Sequence, residues 1–188
     1  MPRPRFPRAL LRRFRRDRSG TLLVESIIIL PVMVLGMTGF FTFWDAFRTQ
    51  NEVQKASYAI SDMLSREMIP ATPAFLDGLE RILEYITDTD ADLRFSSIRR
   101  ISDGPTGATG LQVLWSYSPG NSVGALTPDG LGAVVAELPM MAVGSNVVLV
   151  EVTVPYAPLT DILPVTRLEE TVAMRPRFLP TLCLNTNC

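Results

Sequence analysis

The hydrophobic pattern falls into three regimes along the chain. From Thr21 to Trp44 a single charge, Glu25, interrupts an otherwise uncharged, largely apolar run whose side chains cover every side of a helical projection. At 1.5 Å per residue this helix is roughly 36 Å long, enough to cross a hydrocarbon core of ~30 Å with some tilt. A buried soluble helix fits poorly, because the apolar side chains surround the whole circumference. A secretory signal peptide also fits poorly, since the run is too long and no Ala-x-Ala-like cleavage site follows it.

From Asp45 to Met68 the pattern takes a helical period. Phe47, Val53, Ala56, Ile60, Met63 and Leu64 fall on one side, while Arg48, Glu52, Lys55 and Arg66 occupy the other. No Gly or Pro interrupts Thr42 to Ile69, so one rod from Thr21 to Met68, about 70 Å long, is predicted, ending at Pro70 and Pro73. Thr72 is the expected N-cap of a second amphipathic helix with Pro73 at its first position. Its apolar positions are Phe75, Leu76, Leu79, Ile82, Leu83 and Ile86.

Beyond that helix the period drops to two. Strands are predicted over Leu93 to Ile101, Leu111 to Ser118, Val147 to Tyr156 and Glu170 to Arg177, separated by turn-rich stretches. Thr127 and Pro128 start a short helix expected to end before Pro139. The fold class is α+β: a long N-terminal helix, then a body with a second helix and an antiparallel sheet of about four strands. Phe95, Trp115 and Tyr117 lie on predicted strands and are expected in the core.

Charge adds an orientation. Of the 18 Lys and Arg, eight are Arg within Met1 to Arg18, opposed there by Asp17 alone; of the 19 Asp and Glu, the other eighteen follow. A basic leader before an apolar helix places the N-terminus in the cytoplasm and the acidic body outside it. The expected divisions are a leader over 1–20, a transmembrane helix over 21–44 and an exported, periplasmic α+β domain over 45–188. Trp44 and Phe47 are read as interface anchors. The Arg-rich leader could contact nucleic acid or anionic lipid, but beside a membrane helix orientation and lipid contact suffice, so no nucleic-acid partner is expected.

Composition argues against catalysis. The chain has no His and one Lys, Lys55, so the commonest general base and metal ligand are missing. Asp88, Asp90 and Asp92 open like a calcium loop, but Leu93 stands where Gly is required and Arg99 where a bidentate Glu belongs. Gly104, Gly107 and Gly110 lack a following Lys-Ser/Thr and helix, and read as a hairpin loop rather than a phosphate cradle. No cofactor, metal or small-molecule substrate is expected. Cys183 and Cys188 enclose Leu-Asn-Thr-Asn; outside the cytoplasm a disulfide is expected, with pairing to another chain or two free thiols as alternatives.

Glu25 is the unexplained feature. An acidic side chain at the centre of a bilayer costs about 2.5–3.5 kcal/mol, and less near the end of the span where Glu25 lies. Such a residue needs a positive partner, and Arg18 lies two turns back among headgroups. Here the stretch Arg18-Ser19-Gly20-Thr21-Leu22-Leu23-Val24-Glu25, running to Pro31, resembles type IV prepilins, and Val24-Glu25 with Pro31 resembles the TadE/TadG-like group of the tight-adherence pilus. Val152 to Tyr156 and Ala173 to Arg177 resemble that group's closing strands. The resemblance implies a small pilin-like domain and cleavage by a prepilin peptidase between Gly20 and Thr21. It further implies that Glu25 pairs with the new α-amine of a neighbouring subunit. It implies a minor pseudopilin or membrane-anchored assembly component, structural and non-catalytic. The expected partners are the membrane, the peptidase, other pilins or pseudopilins, and pilus assembly proteins. Ser26, where major pilins of this system carry an aromatic residue, and the length of the chain favour a minor component. The competing readings are an uncleaved scaffold of the same system, and a single-pass protein whose periplasmic domain binds a partner or senses a ligand.

Overall fold

The computed structural model describes residues 12, 15, 20–103, 108–160 and 163–188. Most of the Arg-rich leader, and Gly104 and Gly107, therefore lie outside the described residues.

The first helix, α1 (Gly20–Ser65), has 46 residues and contains Pro31. It is about 69 Å long. It stops three residues short of the expected Met68, because Arg66 and Glu67 turn their N–H groups to the carbonyls of Met63 and Leu64 in a tightened final turn. Its two halves differ in what they meet. The N-terminal half is bare, with Leu23 through Phe41 presenting large apolar side chains to the outside. In the C-terminal half Val53, Ala56, Ile60 and Leu64 form a fully buried stripe at spacings of three and four. Phe47 and Met63, expected on that stripe, are 69% and 46% exposed and lie off it.

The second helix, α2 (Pro73–Thr87), starts as expected. Thr72 is extended at the N-cap, its hydroxyl accepts the Phe75 N–H, and Pro73 opens the helix. Leu76, Leu79 and Leu83 are buried against α1, whereas Ile82 and Ile86, expected on the same face, are 38% and 46% exposed. Each fully buried leucine contributes about 1.5–3 kcal/mol. Asp88 ends the helix in the left-handed conformation, which Asp tolerates because its short side chain can bond locally. The start of the rejected calcium motif is thus a helix terminus.

Four strands follow: β1 (Asp92–Asp103), β2 (Ala108–Tyr117), β3 (Asn146–Pro155) and β4 (Arg167–Met174). They form one antiparallel sheet in the order β2-β1-β3-β4. Phe95 pairs with Val150 and Val150 with Val172, while Leu93 pairs with Val152. This register lines the helix-side face with Leu93, Phe95, Val148, Val150, Val152 and Val154, all at most 2% exposed. An irregularity between Ser97 and Ile98 lets Ser97 pair with Trp115 and Ile98 with Val113. The fold is therefore α+β, with α1 and α2 on one face of a four-stranded antiparallel sheet. β4 begins and ends three residues earlier than the period-two pattern predicts.

The connection from β2 to β3 covers the other face. It holds short helical turns at Pro128–Gly130, Leu131–Val134 and Val135–Glu137, which packs Leu126, Leu131 and Val134 on Ile98 and Leu149. On that face Arg94 grips Glu151 through two nitrogens at 2.5 and 2.6 Å. Both side chains are mostly buried, so the bidentate geometry is what offsets their desolvation.

Candidate functional site: the bare helix and its junction with the body

Glu25 lies five residues into α1 and is exposed, as are Leu23, Val24 and Ile27 to Leu30. It makes no hydrogen bond or ion pair with another described residue. Gly20 is the first residue of the helix and Thr21 the second, so the expected cleavage position and Glu25 share one continuous helical segment. Two threonines within the apolar run turn their hydroxyls inward onto the backbone. Thr38 donates to the Val34 carbonyl at 2.7 Å and Thr42 to the Thr38 carbonyl at 2.8 Å. Such back-bonding hides hydroxyls from an apolar medium. Pro31 has no N–H to give, which frees the Ile27 carbonyl of its usual partner one turn below Pro31.

At the other end of the run the body meets the helix. β4 lies alongside α1 and runs in the same direction, so successive contacts climb both elements together. Thr160, in the β3–β4 connection, shares a 2.9 Å hydrogen bond with the fully buried Thr42. Tyr156 donates to Asp45 at 2.9 Å. Gln50 and Gln54 donate to Glu170 at 3.4 and 3.2 Å, and Arg177 pairs with Asp62. Arg48 bonds Glu52 at 3.0 Å and stands 5.8 Å from the Trp44 ring centre, a cation–π pair at the edge of the apolar run. Between α1 and the β3–β4 connection opens an apolar cleft of about 340 Å³, with Phe43, Phe47, Leu163, Val165 and Leu168 in its lining.

The tail forms a third feature. Cys183 and Cys188 are joined in a disulfide, with Cα atoms 4.5 Å apart. Ala71 bonds Cys183 and Asn185 through its N–H and carbonyl at 2.9 and 2.8 Å, tying the loop to the α1–α2 turn. Leu182 is fully buried, and its carbonyl accepts the Trp115 indole N–H at 2.7 Å. Arg99 donates to Thr181 at 2.6 Å. Cys183 and Cys188 thus hold a plug in the main core, far along α1 from Glu25.

Titratable groups away from the bare helix respond to packing. Burial lifts Tyr156 above the usual phenol range, and its bond to Asp45 adds to that. Tyr117 is raised first by donating to Asp77 at 2.8 Å, then by burial. Glu80 is raised by burial and by the neighbouring Glu84, Asp77 and Asp92. Among the described residues no group of three His, Cys, Asp or Glu is placed to hold a metal ion.

The sequence pattern singled out Glu25, Gly20 and the cysteines, and of these the structure pairs Cys183 with Cys188; the pattern did not point to the contacts of Tyr156, Asp45 and Thr160. Their contacts span 111 and 118 residues, and nothing local marks them. Comparison with family models, curated proteins and solved structures gives no match. Fold and helix together define a class: a small α+β body carried on one helix that is long and apolar enough to cross a membrane.

Proposed function

We propose that this chain is a minor pseudopilin or membrane-anchored assembly component of a tight-adherence-like pilus, with a structural role. The observation that carries the reading is Glu25: a lone charge within the apolar run, exposed and without a partner among the described residues, near the start of a bare apolar helix. A carboxylate in that setting needs a positive group from elsewhere. A neighbouring subunit's α-amine, released by cleavage after Gly20, has the right charge and sits near the same level of the helix. Thr21 would then be the mature N-terminus. The body, carried outside the cytoplasmic face by the leader's charge, would supply partner recognition.

Mass spectrometry of the membrane-purified protein tests the processing step, and surface pili in cells lacking the chain test the role. The expected results are a mature chain starting at Thr21 and loss of pili, restored by the wild type. An intact leader despite active prepilin peptidase, with piliation still lost, points to the uncleaved scaffold. Normal piliation without the chain removes the pilus reading and leaves a single-pass binding or sensory domain.

A further inference from the structure

We propose that the described part of the β3–β4 connection, residues 156–160 and 163–166, is a membrane-docking surface, seated in the lipid boundary on the side of the body. Three observations meet there. The Thr42–Thr160 hydrogen bond fixes the connection to a helix position inside the uncharged run, two residues before Trp44. Counting from Leu23 at 1.5 Å per residue, Thr42 lies on the order of 30 Å along the helix, the thickness of one hydrocarbon core. The connection is itself apolar: Tyr156 to Thr166 contains Ala157, Pro158, Leu159, Leu163, Pro164 and Val165 with one charge, Asp161. Leu159, beside the anchoring Thr160, is 63% exposed.

The surroundings fit the same occupant. The apolar cleft faces outward between the connection and α1, and its walls include Phe43 and Phe47, which are 46% and 69% exposed. Phe43 follows closely on the exposed Phe40 and Phe41 of the bare half of α1, while Gln50, Arg167 and Glu169 also line the cleft. Arg48 stands 5.8 Å from the Trp44 ring centre and Arg167 shares the cleft lining with Phe47, so a bilayer boundary near Trp44 would bring both guanidinium groups within reach of lipid phosphates. An apolar loop ringed by aromatic and Arg side chains at the end of a membrane-length helix matches the acyl–headgroup boundary of a bilayer. The consequence is a body that rests on the membrane by a second contact instead of swinging on the helix alone.

The inference rests on α1 crossing the bilayer, so its test must separate the two. The full chain is placed in vesicles of phosphatidylethanolamine and phosphatidylglycerol with a nitroxide on Leu159→Cys. Val32→Cys, on the bare helix, and Met68→Cys, beyond the far end of α1, serve as references. All three native side chains are at least 63% exposed, so the labels leave the core intact. The paired Cys183 and Cys188 do not take the label. Collision with a water-soluble nickel chelate is compared with collision with oxygen. The nickel accessibility at position 159 is expected to be at least about threefold below that at 68, as for side chains buried at the lipid boundary. A label at 159 as open to nickel as that at 68, with 32 shielded, overturns the docking surface alone. A label at 32 open to nickel overturns both the docking surface and the membrane-spanning reading.

Discussion

Tyr156 donates its phenolic hydrogen to Asp45 across 2.9 Å, joining the end of β3 to the first residue of α1 beyond the apolar run. Tyr156 is 8% exposed, so the bond forms where water competes weakly. Asp45 is therefore part of the junction and not a neutral surface charge.

Removing either partner should weaken the junction by about 1 kcal/mol, a typical net value for one hydrogen bond. Tyr156→Phe, Asp45→Asn and the pair together form a cycle, read by urea unfolding of the detergent-solubilised chain. The double variant should lose clearly less than the sum of the singles. Strict additivity would show that the two groups do not cooperate.

Alkali should expose the same junction. Tyr156 and Tyr117 both hold their protons more tightly folded than unfolded, the first mainly through burial and the second mainly through Asp77. Their contribution is complete below about pH 10, the unfolded value, and declines as pH climbs through the raised folded values. Lys55 is the only Lys, so few other groups titrate in that window. Thermal midpoints should fall with rising pH above this point, and less steeply when both tyrosines are Phe. An unchanged slope in that double variant would assign the effect elsewhere.

The tail loop makes a separate prediction. Replacing Cys183 and Cys188 by Ser should lower stability by about 2 kcal/mol, the chain-entropy value for so short a loop. Reductant should move the wild-type urea midpoint to the same place and leave the double variant still. Leu182→Ala should cost more, about 2–5 kcal/mol, because it empties a fully buried site. Equal midpoints for wild type and the Cys-free variant would mean the plug holds without its bond.

Glu25→Gln keeps size and polarity while removing charge. If the carboxylate pairs with a neighbour's amine, membrane level and body stability should hold while surface piliation falls at least about tenfold, the equivalent of one charge-assisted hydrogen bond. Glu137→Gln, an exposed site on the far connection, is the reference and should have no effect. Wild-type piliation with Glu25→Gln would leave that charge without an assembly role.

The elements of this fold were legible where local pattern and tertiary packing agree. Val53, Ala56, Ile60 and Leu64 carry the helical period and are buried, and Thr72-Pro73 caps α2 as its residue types require. The pattern misled where an apolar residue had no layer to meet, as at Phe47, Met63, Ile82 and Ile86. β4 shifted for the opposite reason. Arg167, Leu168 and Glu169 fall before the predicted strand, yet Leu168 points into the core and Glu170 reaches Gln50 and Gln54, so a charged edge strand forms there. Of the candidate site, Glu25 was visible because one charge stands out in an apolar run. The junction was not, since Thr42, Asp45, Tyr156 and Thr160 gain meaning only when β4 lies beside α1.

That side-by-side course of β4 and α1 has a mechanical consequence. Contacts from Thr42 to Asp62 are strung over twenty residues, roughly 30 Å of helix. Tension applied along the helix axis would shear these contacts together, each bearing part of the load, whereas a body hung from one end would peel away bond by bond. A splice of this kind suits a part that must be drawn through, or held against, a membrane without its head tearing from its stem.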